Sequence, residues 1–411
     1  MPKISNYSNL FRFLAPILMA LGSITSIDLL SNIAEDNLSF VIHLPYLLFG
    51  VALLLCQSFS QGRMGMLAVA MTLAYYFVQT RLQVPLSVGT TRLEFSILAF
   101  LLPVACVIVY AFPNKRFFST SGYIYSALMV GFALWGYLTI THFTMMDDHA
   151  LWDGLLFTIE EFSRLPFLAV LYSIIFVGIS AIMVLTRNEA IDSSVYSSLL
   201  FSTLTFCFFH LAFISSIFFT CAGILLIYNI ISTSHKLAFI DQLTEIPSRR
   251  ALENEMAHLG KHFAIAMLDV DHFKKFNDTH GHDTGDHVLR LVAKKMRATR
   301  GNAKVYRYGG EEFTVLFKGK DSEDTLEFLE ELRESIAEYD MVVRNKSQRP
   351  KDDKVGSANR SSGSRDKTVK VTISIGVADT SHSRSPYKVL KVADEALYKA
   401  KKKGRNCVVA I

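Results

Sequence analysis

The chain has 411 residues, more than one ordinary compact domain needs, so two or three domains are expected. Apolar residues make up 51% and charged residues only 19%, a balance shifted away from the soluble norm. The net charge of +5 is modest and comes without a basic stripe or a recognition helix, which argues against a nucleic-acid partner.

The apolar residues crowd into residues 10–232, and most Lys and Arg follow Leu237. Apolar stretches of about 20 residues can cross the bilayer core. Eight are read: Phe11–Leu30, Phe40–Phe59, Met64–Thr80, Phe95–Phe112, Gly122–Phe143, Leu165–Thr186, Tyr196–Leu211 and Phe213–Ile231. Residues 1–232 are therefore expected to form an all-α polytopic membrane domain, acting as sensor or anchor and contacting membrane lipid. The first stretch is too long for a signal peptide and is read as a retained helix. With the N-terminus in the cytoplasm, Lys3, Arg12, Arg63, Lys115, Arg116 and Arg187 lie inside. Arg81, Arg92 and Arg164 then lie outside, with many acids, as the positive-inside rule prefers. An even span count leaves the C-terminal region in the cytoplasm. The outer loop Thr144–Arg164 is acidic, and Asp28 and His43 sit in or near spans, where ionisable groups often have a function. The five cysteines show no paired spacing and read as packing residues rather than disulfides or a metal site.

Residues 233–240 read as a short helical junction. Beyond them, strands and helices alternate. A helix is expected near Pro247–His258, a strand at Phe263–Leu268, and a helix at about Gly285–Thr299 with Val288, Leu289, Val292, Ala293 and Met296 on one face. Strands Lys304–Tyr308 and Glu312–Phe317 follow, then a helix at about Asp324–Tyr339 with Ser322 as its N-cap. Strands Met341–Val343 and Val369–Val377 flank a polar insertion, 345–367, which lacks apolar residues to bury. The last helix has Ser385 as cap, Pro386 at its first position, Lys401 to Lys403 in its final turn and Gly404 at its end. Strand Cys407–Ala410 closes an α/β (α+β) domain with an antiparallel-containing sheet.

Two acidic features stand at strand ends. One is Asp269-Val270-Asp271; the other is Gly309-Gly310-Glu311-Glu312. Gly309-Gly310 suits a two-residue hairpin turn in which both residues take positive φ. If the two strands pair, their carboxylates meet and repel unless a cation joins them. Hard oxygen donors beside a phosphate substrate point to Mg²⁺.

Residues from about Asp241 to Ile411 resemble the GGDEF domain of diguanylate cyclases, in its GGEEF variant. The resemblance is carried by Asp241-Gln242-Leu243-Thr244, Asp269-Val270-Asp271-His272-Phe273-Lys274, Asn277-Asp278, Gly281-His282-Asp283-Thr284-Gly285-Asp286 and Gly309-Gly310-Glu311-Glu312-Phe313. Thr372-Ile373-Ser374-Ile375-Gly376-Val377 and Lys401 with Gly404-Arg405-Asn406 complete it. It implies a nucleotide-cyclase or polymerase-palm-like fold, and an enzyme of the bacterial inner membrane that condenses two GTP into cyclic di-GMP. By the same resemblance Asp269, the Val270 carbonyl and Glu311 hold Mg²⁺, for which Mn²⁺ can substitute. Glu311 activates the 3′-hydroxyl with support from Glu312. Asn277 and Asp286 bind guanine, His282 lies at the substrate, and Lys274, Lys401 and Arg405 face the triphosphate. The family acts as a homodimer, each copy presenting one GTP.

Two rival readings stay open: a silent GGDEF domain serving as a GTP or cyclic di-GMP receptor, and a transporter-like protein with an appended regulatory domain. The intact Asp269, Lys274, Glu311 and Glu312 speak against the first. The scarcity of paired charges in the spans speaks against the second. Asp286 fits guanine rather than adenine. One departure stands out. Many members carry an inhibitory product site, Arg-x-x-Asp, shortly before the Gly-Gly turn; here the aligned residues are Arg300-Gly301-Asn302-Ala303. Feedback inhibition through that site should be weak or absent, and calorimetry that finds tight cyclic di-GMP binding there refutes this.

Overall fold

The computed structural model describes residues 3–86, 88–146, 158, 163, 165–343 and 367–411. Most of the acidic loop expected at Thr144–Arg164, and residues 345–366 of the polar insertion, lie outside the described residues. The chain divides into two compact units, Met1–Ser234 and His235–Ile411.

The first unit is helical: α1 (Lys3–Thr25), α2 (Ile27–Asp36), α3 (Leu38–Phe59), α4 (Gly62–Arg81), α5 (Thr91–Val107) with a 3₁₀ extension, α6 (Thr120–Met146), α7 (Phe167–Arg187), α8 (Ala190–Cys207) and α9 (Ile214–Phe239). A helix covers each of the eight apolar stretches. Among the described residues, five helices are long and apolar enough to cross a membrane, or six if the α1–α2 pair, bent by 74°, counts as one span. The remaining two of the eight stretches, in α4 and α8, are less apolar by composition, and both helices are largely buried. Both are enclosed by other helices, α8 over nearly its whole length. An enclosed helix needs no lipid-like exterior. The hydroxyls of Ser194, Ser197, Ser202 and Thr205 in α8 bond back to carbonyls of their own helix. By contrast α3, α6 and α7 leave Leu54, Trp135, Leu138, Ile174 and Ile182 exposed, as lipid-facing surfaces do.

Among the described residues, the buried acid of this unit is Asp192, which accepts a 2.7 Å hydrogen bond from Tyr110. It is not one of the two ionisable residues singled out by sequence. Of those, His43 is exposed and bonds within its own helix to the Ser39 carbonyl, and Asp28 sits in the first turn of α2. All five cysteines are free.

The second unit has α10 (Arg249–Met256), β1 (Phe263–Val270), α11 (Phe273–His280), α12 (His282–Met296), β2 (Lys304–Gly309), β3 (Glu312–Lys318), α13 (Ser322–Ala337), β4 (Met341–Val343), β5 (Lys367–Val369), β6 (Ile373–Asp379), α14 (Pro386–Lys402) and β7 (Val408–Ala410). Five strands form a sheet in the order β2-β3-β1-β6-β7. β1 runs antiparallel to both β3 and β6, and β7 runs parallel to β6. Every residue of β1 is buried, because helices cover both faces. Its side chains alternate. Ala264, Ala266, Leu268 and Val270 pack with Val288, Val292, Leu329 and Ile336 of α12 and α13. Phe263, Ile265 and Met267 pack with Leu252, Met256, Val389, Ala393 and Leu397 of α10 and α14. The period of two therefore turns Asp269 toward α14. Gly376 lets α14 lie on β6: a Cβ there would stand 2.0 Å from the Leu397 amide nitrogen.

Two sequence expectations are corrected. The single strand Val369–Val377 is two strands in different sheets, since β5 pairs with β4 around the insertion while β6 joins the main sheet. The N-cap of α13 is Asp321, with Ser322 already helical. Ser385 holds the N-cap position of α14 as expected, but makes no side-chain capping bond.

The start of α13 is held from β6. Asp379 accepts from the Ser322 amide at 2.7 Å through one oxygen and from the Ser381 amide at 2.8 Å through the other. Burial pushes its pKa up, but the bonds from Ser381 and Ser322 outweigh that and hold it well below the usual carboxylate range. A depressed carboxylate stabilises above its unfolded pKa, and that stability is lost as pH falls through the lower folded value. Asp379→Asn should therefore cost about 1–3 kcal/mol at neutral pH, with the gap to wild type narrowing below about pH 4. Thermal unfolding of the detergent-solubilised chain across pH checks this; a pH-independent gap contradicts it.

Candidate active site

The register of β1 and β3 sets Asp269 directly opposite Glu312. Opposed residues on antiparallel strands share a face with Cβ atoms about 4.5–5.5 Å apart. On the other flank Asp269 faces Ser374 of β6. Glu311 sits one residue earlier, in the turn between β2 and β3, and its carbonyl accepts from the Val270 amide at 3.4 Å. Three acidic residues thus stand at one end of the sheet. For Glu311 and for Glu312, burial first and then the Asp269 charge push the pKa up. Asp269 is nearly buried and is also raised, by burial above all, although Lys401 opposes this with an ion pair of 2.9 Å. That pair follows from the strand alternation, because Lys401 lies in the last turn of α14.

The turn differs from its expected form. Gly309 pairs with Glu312, so the two turn residues are Gly310 and Glu311. Of the two glycines, only Gly310 has positive φ, 47°. The cause is a register shift between Arg307 and Gly309, which adds a residue to β2 and moves the corner along by one.

Beside the carboxylates a cleft of about 570 Å³ is lined by Glu312, Asp394, Tyr398, Lys401 and Lys402 among others. Arg405 is exposed just beyond α14, close enough for its charge to act on Asp269. Asn277, His282 and Asp286 stand around the α11–α12 corner, where Gly281 takes φ of 82°. The Asn277 side-chain oxygen is buried without a hydrogen-bond partner, and a Cβ on Gly285 would lie 1.8 Å from it. Lys274 is exposed in the first turn of α11 and is not drawn into the carboxylate group. The structure thus brings together Asp269, Val270, Glu311, Glu312, Lys401 and Arg405, and places Asn277, His282 and Asp286 as a second group.

Among the described residues, no three His, Cys, Asp or Glu side chains gather as a metal site. The expected set requires only two carboxylates and the Val270 carbonyl, all hard oxygen donors. The mutual repulsion of Asp269 and Glu311 is what a divalent cation relieves, so these residues fit the ion.

Sequence reasoning gave no role to Arg307, Asp241 or Asp271. Arg307 donates to the Gly310 carbonyl from Nε at 3.2 Å and Nη2 at 2.7 Å, and to Asp241 from Nη1 at 2.8 Å. Burial raises the Asp241 pKa, but bonds from Thr244 and Arg307 outweigh it and lower the net value. A cation two residues before a Gly-Gly pair was the available signal. Arg300, at the departed product site, instead donates to Glu331 at 3.0 Å.

Residues 238–356 and 353–407 match the family model described as "Diguanylate cyclase, GGDEF domain". Diguanylate cyclase VdcA of Vibrio cholerae is 34% identical over 180 residues, 43% of this chain and 48% of that one. Response regulator PleD of Caulobacter vibrioides is 35% identical over 190 residues, 44% of this chain and 38% of that one. The chain spans less than half the length of either relative. The solved GGDEF domain of DgcB from Caulobacter crescentus, in complex with c-di-GMP, is 32% identical with a TM-score of 0.35, covering 42% of this chain and 93% of that one.

Arg307→Ala frees the Gly310 carbonyl and leaves Asp241 without its ion pair. Amide exchange across Gly309–Phe313 should then quicken by about tenfold or more, with the centre of β1 unchanged. Hydrogen-exchange mass spectrometry measures this, and unchanged exchange at the turn counts against the clamp.

Proposed function

We propose that the GGDEF domain formed by the C-terminal unit condenses two GTP molecules into cyclic di-GMP and two pyrophosphates. The observation that carries this reading is the opposition of Asp269 and Glu312 across β1 and β3, with Glu311 in the adjoining turn, inside a region that matches the diguanylate cyclase family. Asp269, the Val270 carbonyl and Glu311 would hold Mg²⁺, or Mn²⁺ in its place. When bound, the ion neutralises phosphate charge and eases ionisation of the attacking hydroxyl.

The chain's own groups supply the remainder. Glu311 takes the proton from the 3′-hydroxyl, with Glu312 beside it. The freed oxygen bonds to the α-phosphorus of the other GTP, and the bond from that phosphorus to pyrophosphate breaks. Lys401, Arg405 and Lys274 balance the charge that builds on the triphosphate. Asn277 and Asp286 hydrogen-bond guanine, and His282 lies at the nucleotide. The unpartnered buried oxygen of Asn277 supports a ligand donor there, because buried acceptors are rarely left unbonded. Most of the rate gain comes from positioning. A cyclic product made from two nucleotides requires two such domains face to face, so the active species is a homodimer.

The helical unit anchors the enzyme as a multi-pass protein of the bacterial inner membrane, with the GGDEF domain in the cytoplasm where GTP is found, and it regulates activity by aligning two copies. The exposed apolar surfaces of α3, α6 and α7 support the anchoring. With all eight apolar stretches crossing, the positive-inside bias supports the orientation.

Purified full-length protein given GTP and Mg²⁺ should form cyclic di-GMP. The Glu311→Ala/Glu312→Ala variant should lose at least about 100-fold in rate, and EDTA should abolish wild-type product. Equal product from both proteins, or none from wild type, overturns the enzyme reading; GTP or cyclic di-GMP binding without turnover would favour a receptor.

A further inference from the structure

Asp271 has no part in the roles given above, yet it is among the most heavily bonded side chains of the second unit. It follows Asp269 by two residues and is buried. Both carboxylate oxygens are occupied. Ser374 Oγ donates to Oδ1 at 2.7 Å; Thr372 Oγ1 at 2.7 Å and the Asn406 amide at 3.1 Å donate to Oδ2. The Asp271 amide donates to the Thr372 carbonyl at 2.9 Å. Three segments therefore converge on one carboxylate: the end of β1, the entry to β6 and the corner that follows α14.

That corner is the unusual part. Arg405 and Asn406 both have left-handed backbone, with φ of 68° and 46°. Non-glycine residues hold that conformation only where surrounding contacts enforce it. The contacts are visible. The Arg405 amide donates to the Ala400 carbonyl at 3.2 Å, Asp271 takes the Asn406 amide, and Arg333 Nη1 donates to the Asn406 side-chain oxygen at 3.1 Å. Fixed on both sides, the corner directs the exposed Arg405 side chain near the carboxylate group, where its charge reaches Asp269. The repeated acids of Asp269-Val270-Asp271 thus have different tasks. Asp269 pairs with a lysine at the site, whereas Asp271 spends its lone pairs on protein donors.

We propose that Asp271 is a positioning residue that holds the Arg405–Asn406 corner so that Arg405 meets the phosphates of the nucleotide. The proposal rests on the reading of this unit as a GTP-condensing domain with Arg405 at the triphosphate. Asp271→Asn keeps the shape but cannot accept at both positions, because its amide group would face a donor.

The test is steady-state kinetics of cyclic di-GMP formation by the detergent-solubilised full chain. Asp271→Asn should raise KM for GTP about tenfold and change kcat by less than about threefold. Arg405→Ala should raise KM similarly. Adding Asp271→Asn to Arg405→Ala should worsen KM by no more than about twofold, since both act through one contact. Thr372→Val removes one of the three donors and should raise KM by about threefold; it decides the matter if Asp271→Asn does not fold. With an active wild type, an unchanged KM or fully multiplicative effects of the two changes overturn the positioning role while the cyclase reading stands. A wild type that forms no product removes the cyclase reading and this proposal with it.

Discussion

The second unit is organised around an unfavourable pairing. Asp269 and Glu312 are set opposite one another by the β1–β3 register, and Glu311 stands at the next position. Like charges in that arrangement destabilise a sheet. The strand pair is nonetheless firm, because every other position of β1 is buried between two helical layers. Hydrophobic packing along the strand fixes the register, and the register then holds the acids together at its end. The Lys401 ammonium offsets part of the repulsion at 2.9 Å. A site that concentrates negative charge in this way favours a cationic ligand over water, which is the property that phosphoryl transfer uses.

Around this centre, two charged side chains act as fasteners, Arg307 part-buried and Asp271 buried. Arg307 spans the Gly310 carbonyl and Asp241, so the hairpin corner is tied to the segment that opens the unit. Asp271 ties the strand end to the corner beyond α14. Each fastener links residues far apart in sequence, Arg307 with Asp241 and Asp271 with Thr372, Ser374 and Asn406. The loops that carry site residues are thereby made as well defined as the sheet. Catalysis by positioning demands that property.

The first unit follows a different rule. In a helical bundle with a lipid-like exterior, polar residues collect inside. Gln61 donates to the Ile230 carbonyl at 3.1 Å and to Ser234 at 2.7 Å, while Asn229 donates to Ser193 and Ser194. These bonds grip α9, the last helix of the unit, by the Ile230 carbonyl and the Asn229 and Ser234 side chains. Hydroxyl-rich α8 is enclosed, and Ser194, Ser197, Ser202 and Thr205 bond back to carbonyls of their own helix.

Short-range pattern alone was enough to reveal the apolar stretches, the periodic face of α12, the end signals of α14, and the ordered acidic and glycine motifs of the second half. Those features are written in neighbouring residues, and helical or strand period is a local property. Tertiary structure decided the rest. Which faces of α4 and α8 are buried depends on the helices around them. The hairpin corner moved to Gly310-Glu311 because a bulge in β2 added a residue, and bulges answer to the partner strand. Val369–Val377 reads as one strand until pairing assigns its ends to different sheets. Asp269 and Asp271 look equivalent in sequence; contacts with residues more than a hundred positions away give one to Lys401 and the other to the Asn406 amide.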